Sequence, residues 1–321
     1  VFTIVAGIAC LLAARRTLPD RARDDPHYRA RPSGGRGVAS ASNELSGRVA
    51  LVTGASRGIG AAIAERLAAA GGRVACVARS LDTPGGQDPG TLRDTVARIA
   101  AAGGHAVAIQ GDVSDAASRA ALVEACRAQL GPVDVLVNNA AAGPYRPFEK
   151  FSAKHFALTF GANVEAALHL MQLVAPEMRA KQHGWIVNIS SATAELPKRP
   201  YNAFEQSGGA HLYAASKAAL NRLSVGIAAE LASAGVAVNT LAPNAAVITA
   251  AVRATGADKW IEPEMIEPVE AMAEAALALA VCDAKCTGRV TYSLDLLREL
   301  RREIRTLDGR AALTKDNAQS R

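Results

Sequence analysis

The chain is expected to fold as one α/β domain: a doubly wound parallel sheet of about seven strands with helices on both faces. Three observations predict this. Apolar runs alternate with longer helical patterns through residues 45–300, the runs are almost continuously apolar, and a glycine-rich turn joins the first run to the first helical stretch. Strands that are covered on both faces show that kind of unbroken apolar run. Composition agrees. Of 321 residues, 50% are hydrophobic, which excludes a wholly disordered chain. Only 4% are aromatic, which suits close helix-on-sheet layers better than an aromatic-rich sandwich.

In chain order, strands are expected at residues 48–53, 73–78, 106–110, 133–137, 185–189, 236–240 and 288–292. Helical stretches fall between them, for example at 61–70, 116–130 and 211–232. Right-handed crossovers then wind the sheet on both sides and open a ligand crevice at the carboxyl ends of the strands. Residues 1–44 are expected to be an apolar N-terminal segment followed by a disordered linker. The apolar run Val1–Ala14, ending at Arg15-Arg16, is short for a bilayer span and lacks the basic start of a signal peptide. Membrane contact, peripheral or through an N-terminal anchor, is expected only if that run acts as one. Residues 301–321 read as a polar C-terminal tail, frayed from about Leu307.

The formal charge of +6 sits at the two ends. Residues 1–44 carry seven basic against four acidic side chains, and residues 298–321 carry the same numbers, which leaves 22 of each sign between 45 and 297. A nucleic-acid reader would need a basic stripe on its folded face, so no nucleic-acid partner is expected. Five scattered cysteines do not form a secreted disulfide framework, and a reducing, cytoplasmic setting is expected. Cys282 and Cys286 have the spacing to share a helix face, but two thiols without further ligands make a poor zinc site, so no metal is expected.

The turn after the first strand reads Thr53-Gly54-Ala55-Ser56-Arg57-Gly58-Ile59-Gly60, and a helix opens there. Glycines let a backbone approach a pyrophosphate closely, and the free N–H groups of a helix start stabilise its charge. The turn from Gly54 to Gly60 is therefore the candidate dinucleotide cradle. The spacing of Gly54, Gly58 and Gly60 resembles the T-G-x-x-x-G-x-G turn of the short-chain dehydrogenase/reductase family, whose sheet is Rossmann-like. Further motifs follow in order: Asp112-Val113, Asn138-Asn139-Ala140, Asn163, Ser191, Tyr213-Ala-Ala-Ser-Lys217 and Pro243. The resemblance covers residues 45–295.

That resemblance implies a nicotinamide-dependent oxidoreductase acting between a carbonyl and a secondary alcohol, working as a homodimer or homotetramer on a small-molecule substrate. It implies that Asp112, beside Val113, holds the adenine amino group, and that Asn139 and Ala140 line the adenosine ribose. Pro243 and Val247 would then lie on the loop that contacts the nicotinamide amide. Ser191 would hydrogen-bond the reacting carbonyl, with Ser190 its nearest competitor, and Asn163 would hold a water in a proton relay from Lys217. Lys217 would also bind the nicotinamide ribose. Tyr213 and Lys217, four apart on a helix, project from one face and suit an acid/base pair. The neighbouring ammonium is expected to lower the phenol's pKa towards the working range. The alternative is a catalytically silent NADP(H)-binding sensor or scaffold, although Ser, Tyr and Lys are all present.

The second strand ends Val77-Ala78-Arg79, without the carboxylate that would bond a ribose 2′-hydroxyl and repel a 2′-phosphate. Arg79 and Arg57 are instead placed to clamp a phosphate, which predicts NADP(H) over NAD(H). Three features depart from the family. The 21 residues between Ser191 and Tyr213 form an insertion of about nine, expected to border the active site as a wall or lid. Pro243 is followed by Asn244 where glycine is common. Asn139-Ala140 is followed by Ala141, which costs little unless its φ is positive. Tyr145, Phe148, Tyr201, Phe204 and Trp260 are the aromatic candidates for an apolar pocket.

Overall fold

A computed structural model of the chain describes residues 43–83, 90–201, 206, 209–249, 253, 261 and 263–314. The apolar start, Phe204, Trp260, most of the 250–262 stretch and residues 315–321 lie outside the described residues.

Seven parallel strands form the central sheet in the order β3-β2-β1-β4-β5-β6-β9. They are β1 (Val49–Thr53), β2 (Arg73–Ala78), β3 (His105–Gln110), β4 (Val135–Asn138), β5 (Gly184–Ile189), β6 (Val236–Ala242) and β9 (Val290–Tyr292). Every residue of β1, β4 and β6 is buried, as the unbroken apolar runs require. Side chains alternate between two cores. Ala50, Val52, Val74, Val135 and Val187 face one, while Val49, Leu51, Ala75, Val77 and Ile186 face the other. The chain crosses from β1 to β2 and β3 on one side, then returns past β1 to β4. That reversal leaves a crevice at the carboxyl ends of β1 and β4.

Helices close both faces. They are α1 (Gly58–Ala69), α2 (Leu92–Ala101), α3 (Ala116–Leu130), α4 (Ala153–Phe160), α5 (Ala166–Lys181), α6 (His211–Leu231), α7 (Val269–Ala280) and α8 (Ser293–Glu299). Local chemistry sets several starts. Thr91 and Asp94 form a reciprocal capping box at α2, Asp115 accepts from the Ser118 N–H at α3, and Ser152 with His155 caps α4. A two-stranded parallel ribbon, β7 (Ala246–Val247) with β8 (Ile266–Glu267), lies beyond the sheet and has no periodicity long enough to be read from sequence. Cys282 and Cys286 fall in the turn after α7 rather than on a helix face, because that helix stops at Ala280.

The segment after residue 300 is not frayed as far as Thr314. Arg302 donates to Glu44 at 2.8 Å and to buried Glu274 at 2.5 Å, and Glu274 also receives Arg66 at 2.6 Å. Leu307 is only 9% exposed and joins the α1/α7 core. The composition is polar because these arginines reach partners far away in sequence. Leu307→Ala is expected to cost about 2 kcal/mol, at the low end for a buried leucine, and to lower the Tm measured by calorimetry. An unchanged Tm would mean that the docked segment contributes no stability.

Candidate functional site

The glycine turn is held from below by one hydroxyl. Thr53 Oγ1, at the end of β1, accepts the backbone N–H groups of Asn139 and Ala140, both at 3.0 Å, and donates to the Val137 carbonyl at 3.3 Å. Asn139 Nδ2 donates back to the Thr53 and Gly54 carbonyls at 2.9 and 3.3 Å. The two loops at the crevice are thus one unit. Gly54 has φ +66°, and a Cβ at Gly60 would lie 2.3 Å from the Gly54 carbonyl oxygen, so neither position accepts a side chain. The side chain of Asn139, expected beside a ribose, is committed to this strut. The Arg57 side chain, at the N-cap of α1, makes no capping hydrogen bond to the helix's first N–H groups. An oxygen-rich anion fits such a cradle.

Arg79 follows β2 directly, and its guanidinium lies 3.9 Å from Asp112 Oδ2, with the two side chains 76% and 42% exposed. Asp112 Oδ1 accepts both the N–H and the hydroxyl of Ser114, at 2.9 and 2.8 Å. Partial burial works to raise the Asp112 pKa, but these bonds and the Arg79 charge outweigh it and hold the carboxyl below its usual range. Val113 lines a small cavity together with Thr53, Asn138, Ala140, Asn163 and Lys217.

Tyr213 and Lys217 sit on α6, which is fixed to the sheet by a ladder of amides. Asn138 Nδ2 donates to Asn188 Oδ1 at 2.8 Å, and Asn188 Nδ2 donates to Ser224 Oγ at 2.8 Å. Lys217 is buried. Its Nζ donates to the Ile189 carbonyl at 2.7 Å and lies 5.6 Å from the centre of the Tyr213 ring. The Ser191 side chain is near enough to the phenol to favour its ionised form. Ser190 turns away, its hydroxyl 2.6 Å from Asn221 Oδ1, so the two serines have different partners. Ser191 Oγ also lies 2.9 Å from Thr193 Oγ1.

The expected electrostatics of the pair need correcting. Burial is the dominant effect on both groups. It pushes the Tyr213 phenol above its ordinary value of 10, with the Ser191 side chain opposing only in part, and it pushes Lys217 down to about 8. The ammonium therefore does not offset burial at the phenol here; its Nζ is turned to the Ile189 carbonyl and lies 5.6 Å from the centre of the Tyr213 ring. Tyr213 is a proton donor across the neutral range.

Asn163 lies in a π-helical turn, Gly161–Glu165, between α4 and α5. Such widened turns mark helices that are re-aimed locally. Asn163 Oδ1 accepts the Ala142 N–H at 2.8 Å and Nδ2 donates to Ser216 Oγ at 2.9 Å, so the side chain clips the 138–142 loop to α6. The cavity between Asn163 and Lys217 is about 10 Å³, near the lower limit for one water. Buried Asn138 Oδ1 is without a hydrogen-bond partner, and Asn138 lines this cavity.

The insertion's described ends border the pair. The Arg146 N–H donates to the Gly209 carbonyl at 3.3 Å, and the neighbouring Tyr145 ring lies 5.9 Å from that of Tyr213. Glu195 accepts the Tyr292 hydroxyl at 2.6 Å. Phe148 and Tyr201 are exposed, at 70% and 46%. Ala141 is not in the left-handed region; among the described residues only Gln182 and Arg301 are non-glycines with positive φ.

Pro243 ends β6, and the loop after it returns to the glycine turn: a Cβ on Gly58 would lie 3.2 Å from the Thr249 methyl. Val247 is buried in β7. Asn244 replaces glycine for a reason no local pattern shows. Its Oδ1 accepts the N–H groups of Leu294 and Asp295 at 2.7 and 3.2 Å and so caps α8, some 50 residues away.

A parallel sheet with this cradle and a phenol beside a lysine defines a nicotinamide-dependent oxidoreductase. The sequence model described as short chain dehydrogenase matches residues 48–260, about two thirds of the chain, which belongs to that family. The chain is 38% identical over 201 residues to an uncharacterized oxidoreductase of Methylorubrum extorquens, a match covering 63% of this chain and 74% of that protein. It is 36% identical over 199 residues to a ketoacyl reductase of Nostoc, and spans 62% of this chain but only 63% of that relative's length. In structure it resembles the NADP-bound 3-oxoacyl (acyl-carrier-protein) reductase of Agrobacterium tumefaciens, with a TM-score of 0.66, 34% identity, and coverage of 77% of this chain and 93% of that one. The protein is thus an enzyme of the short-chain dehydrogenase/reductase family, working between CH–OH and C=O groups with a nicotinamide dinucleotide. Among the described residues no helix is long and apolar enough to cross a membrane.

Proposed function

We propose that this enzyme uses NADP(H) to interconvert a ketone and a secondary alcohol, with Tyr213 as general acid/base. The observation that carries the reading is a buried Lys217 whose Nζ is pinned to the Ile189 carbonyl at 2.7 Å and lies 5.6 Å from the centre of the Tyr213 ring, one helical turn away. When bound, the reduced nicotinamide supplies hydride to the carbonyl carbon. The Ser191 hydroxyl donates to the carbonyl oxygen as charge develops there. Tyr213, held protonated by burial, delivers its proton to that oxygen. Lys217 then stabilises the phenolate that Tyr213 becomes, and the Asn163/Lys217 cavity has room for the water that would resupply the proton. Orientation and charge placement are the protein's share.

The glycine turn and the α1 N-terminus would receive the pyrophosphate, with Ser56 and Ile59 supplying backbone there. Asp112 and Val113 would border the adenine, Ala140 the ribose, and Pro243 to Val247 the nicotinamide amide. Arg57 and Arg79 would hold the 2′-phosphate. Homodimer or homotetramer assembly is supported by exposed Phe156 and Leu158 on α4 and Val225 on α6, which present apolar surface. The test is NADPH absorbance against a panel of ketones, aldehydes and alcohols. Turnover of a ketone or secondary alcohol is expected; tight NADPH binding with no turnover anywhere would make the protein a silent sensor.

A further inference from the structure

We propose that Glu267 is a positioning residue for the cofactor: its buried carboxylate fixes the Pro243–Val247 loop and thereby sets affinity for the dinucleotide. This rests on the reading that the loop contacts the nicotinamide end. Glu267 is 1% exposed, and among the described residues its side-chain hydrogen bonds go to this loop and to the helix start behind it. Oε2 accepts the N–H groups of Asn244 and Ala245 at 2.9 and 3.0 Å, and Oε1 accepts the Ser293 hydroxyl at 2.6 Å. The backbone adds a second tie, because Glu267 pairs in register with Val247 in the β7–β8 ribbon. The loop then continues to Thr249, against Gly58. One carboxylate thus connects the far wall of the crevice to the glycine turn's neighbour across it.

Two consecutive loop N–H groups aimed at one oxygen form a small anion nest, and a charged acceptor strengthens both bonds. Burial nevertheless raises the Glu267 carboxyl from 4.5 to about 7, against the lowering effect of Ser293, Ala245 and Asn244. Asp295 on α8 faces it with a like charge and is itself paired with Arg298 at 2.8 Å. Protonation need not break the network. Ser293 Oγ lies 3.4 Å from Asn244 Oδ1 and can donate there while accepting from the neutral acid. What is lost is the negative charge at the two loop N–H groups. Loop order, and with it dinucleotide affinity, should therefore fall as pH drops through about 7.

The experiment compares wild type, E267A, E267Q and S293A, with NADPH affinity followed by fluorescence titration and kcat and KM by turnover, from pH 6 to 9. E267A should raise the NADPH Kd and KM about tenfold at pH 8 while kcat changes far less. E267Q, shaped like the neutral acid, should bind as wild type does at pH 6 and show no inflection near 7. S293A should raise Kd about threefold at pH 8; with E267Q it carries the test if E267A does not fold. Wild-type affinity in E267A, or in S293A and E267Q together, overturns the assignment, as does an unchanged inflection in E267Q. Failure of wild type itself to bind NADPH would take down the cofactor reading along with it, and so is distinguishable from failure of the Glu267 role alone.

Discussion

Tyr213→Phe is expected to lower kcat for carbonyl reduction about 10²- to 10⁴-fold, the usual contribution of a positioned proton donor, while NADPH affinity changes by less than about twofold. The substitution removes one oxygen and keeps the ring that packs against Gly143 and Tyr145. The Ser191 hydroxyl keeps its contact with Thr193 Oγ1 at 2.9 Å. A pH profile separates the roles of the pair. Tyr213 is held above its ordinary value by burial, so the donor stays loaded through neutral pH. Lys217 is pushed down to about 8, so its ammonium, and the support it gives the nascent phenolate, is lost as pH rises through that value. Reduction at saturating substrate should therefore be flat below about pH 8 and decline above it. A profile flat to pH 10 would remove the lysine from the mechanism, and substantial turnover by the phenylalanine variant would remove the tyrosine.

How much of this was legible in the sequence depends on how far apart the interacting residues lie. The seven strands and the order of motifs could be read because each rests on local pattern: unbroken apolar runs, glycine spacing, and a four-residue interval on a helix. The geometry of the glycine turn could be anticipated for the same reason, since positive φ at Gly54 and Gly58 is a local demand. Contacts that span the fold were hidden. The Thr53–Asn139 strut joins residues 86 apart, and Asn244 caps a helix about 50 residues later. Glu267 carries no motif at all; its only sequence signal is an acid within a short strand-like pair before an alanine-rich helix. The pKa of Tyr213 is hidden for a related reason: a neighbouring cation is visible in a Y-x-x-x-K spacing, whereas the desolvation of the phenol and the ammonium is not. The arginines after residue 300 look like a solvated tail until Glu44 and Glu274 are brought beside Arg302.

The double variant Arg57→Ala, Arg79→Ala is expected to reduce kcat/KM for NADPH about 10²-fold and leave that for NADH nearly unchanged, collapsing the preference between the two. Each charge-assisted bond to a phosphate contributes about 1.5–3 kcal/mol when well formed. Arg79 is 76% exposed, so solvent screening places its share at the lower end of that range. Arg79 is also not a free cation, since it faces Asp112 Oδ2 at 3.9 Å. That contact has a consequence for the single variant. Removing Arg79 takes a positive charge from the end of β2 and leaves Asp112 to repel a 2′-phosphate. R79A should therefore lose NADPH efficiency, and Asp112→Asn in the R79A background should restore part of the loss. Equal kcat/KM for NADPH and NADH in the wild-type enzyme would show instead that neither arginine reads the phosphate, and the charge at the end of β2 would then serve only to hold Asp112 in place.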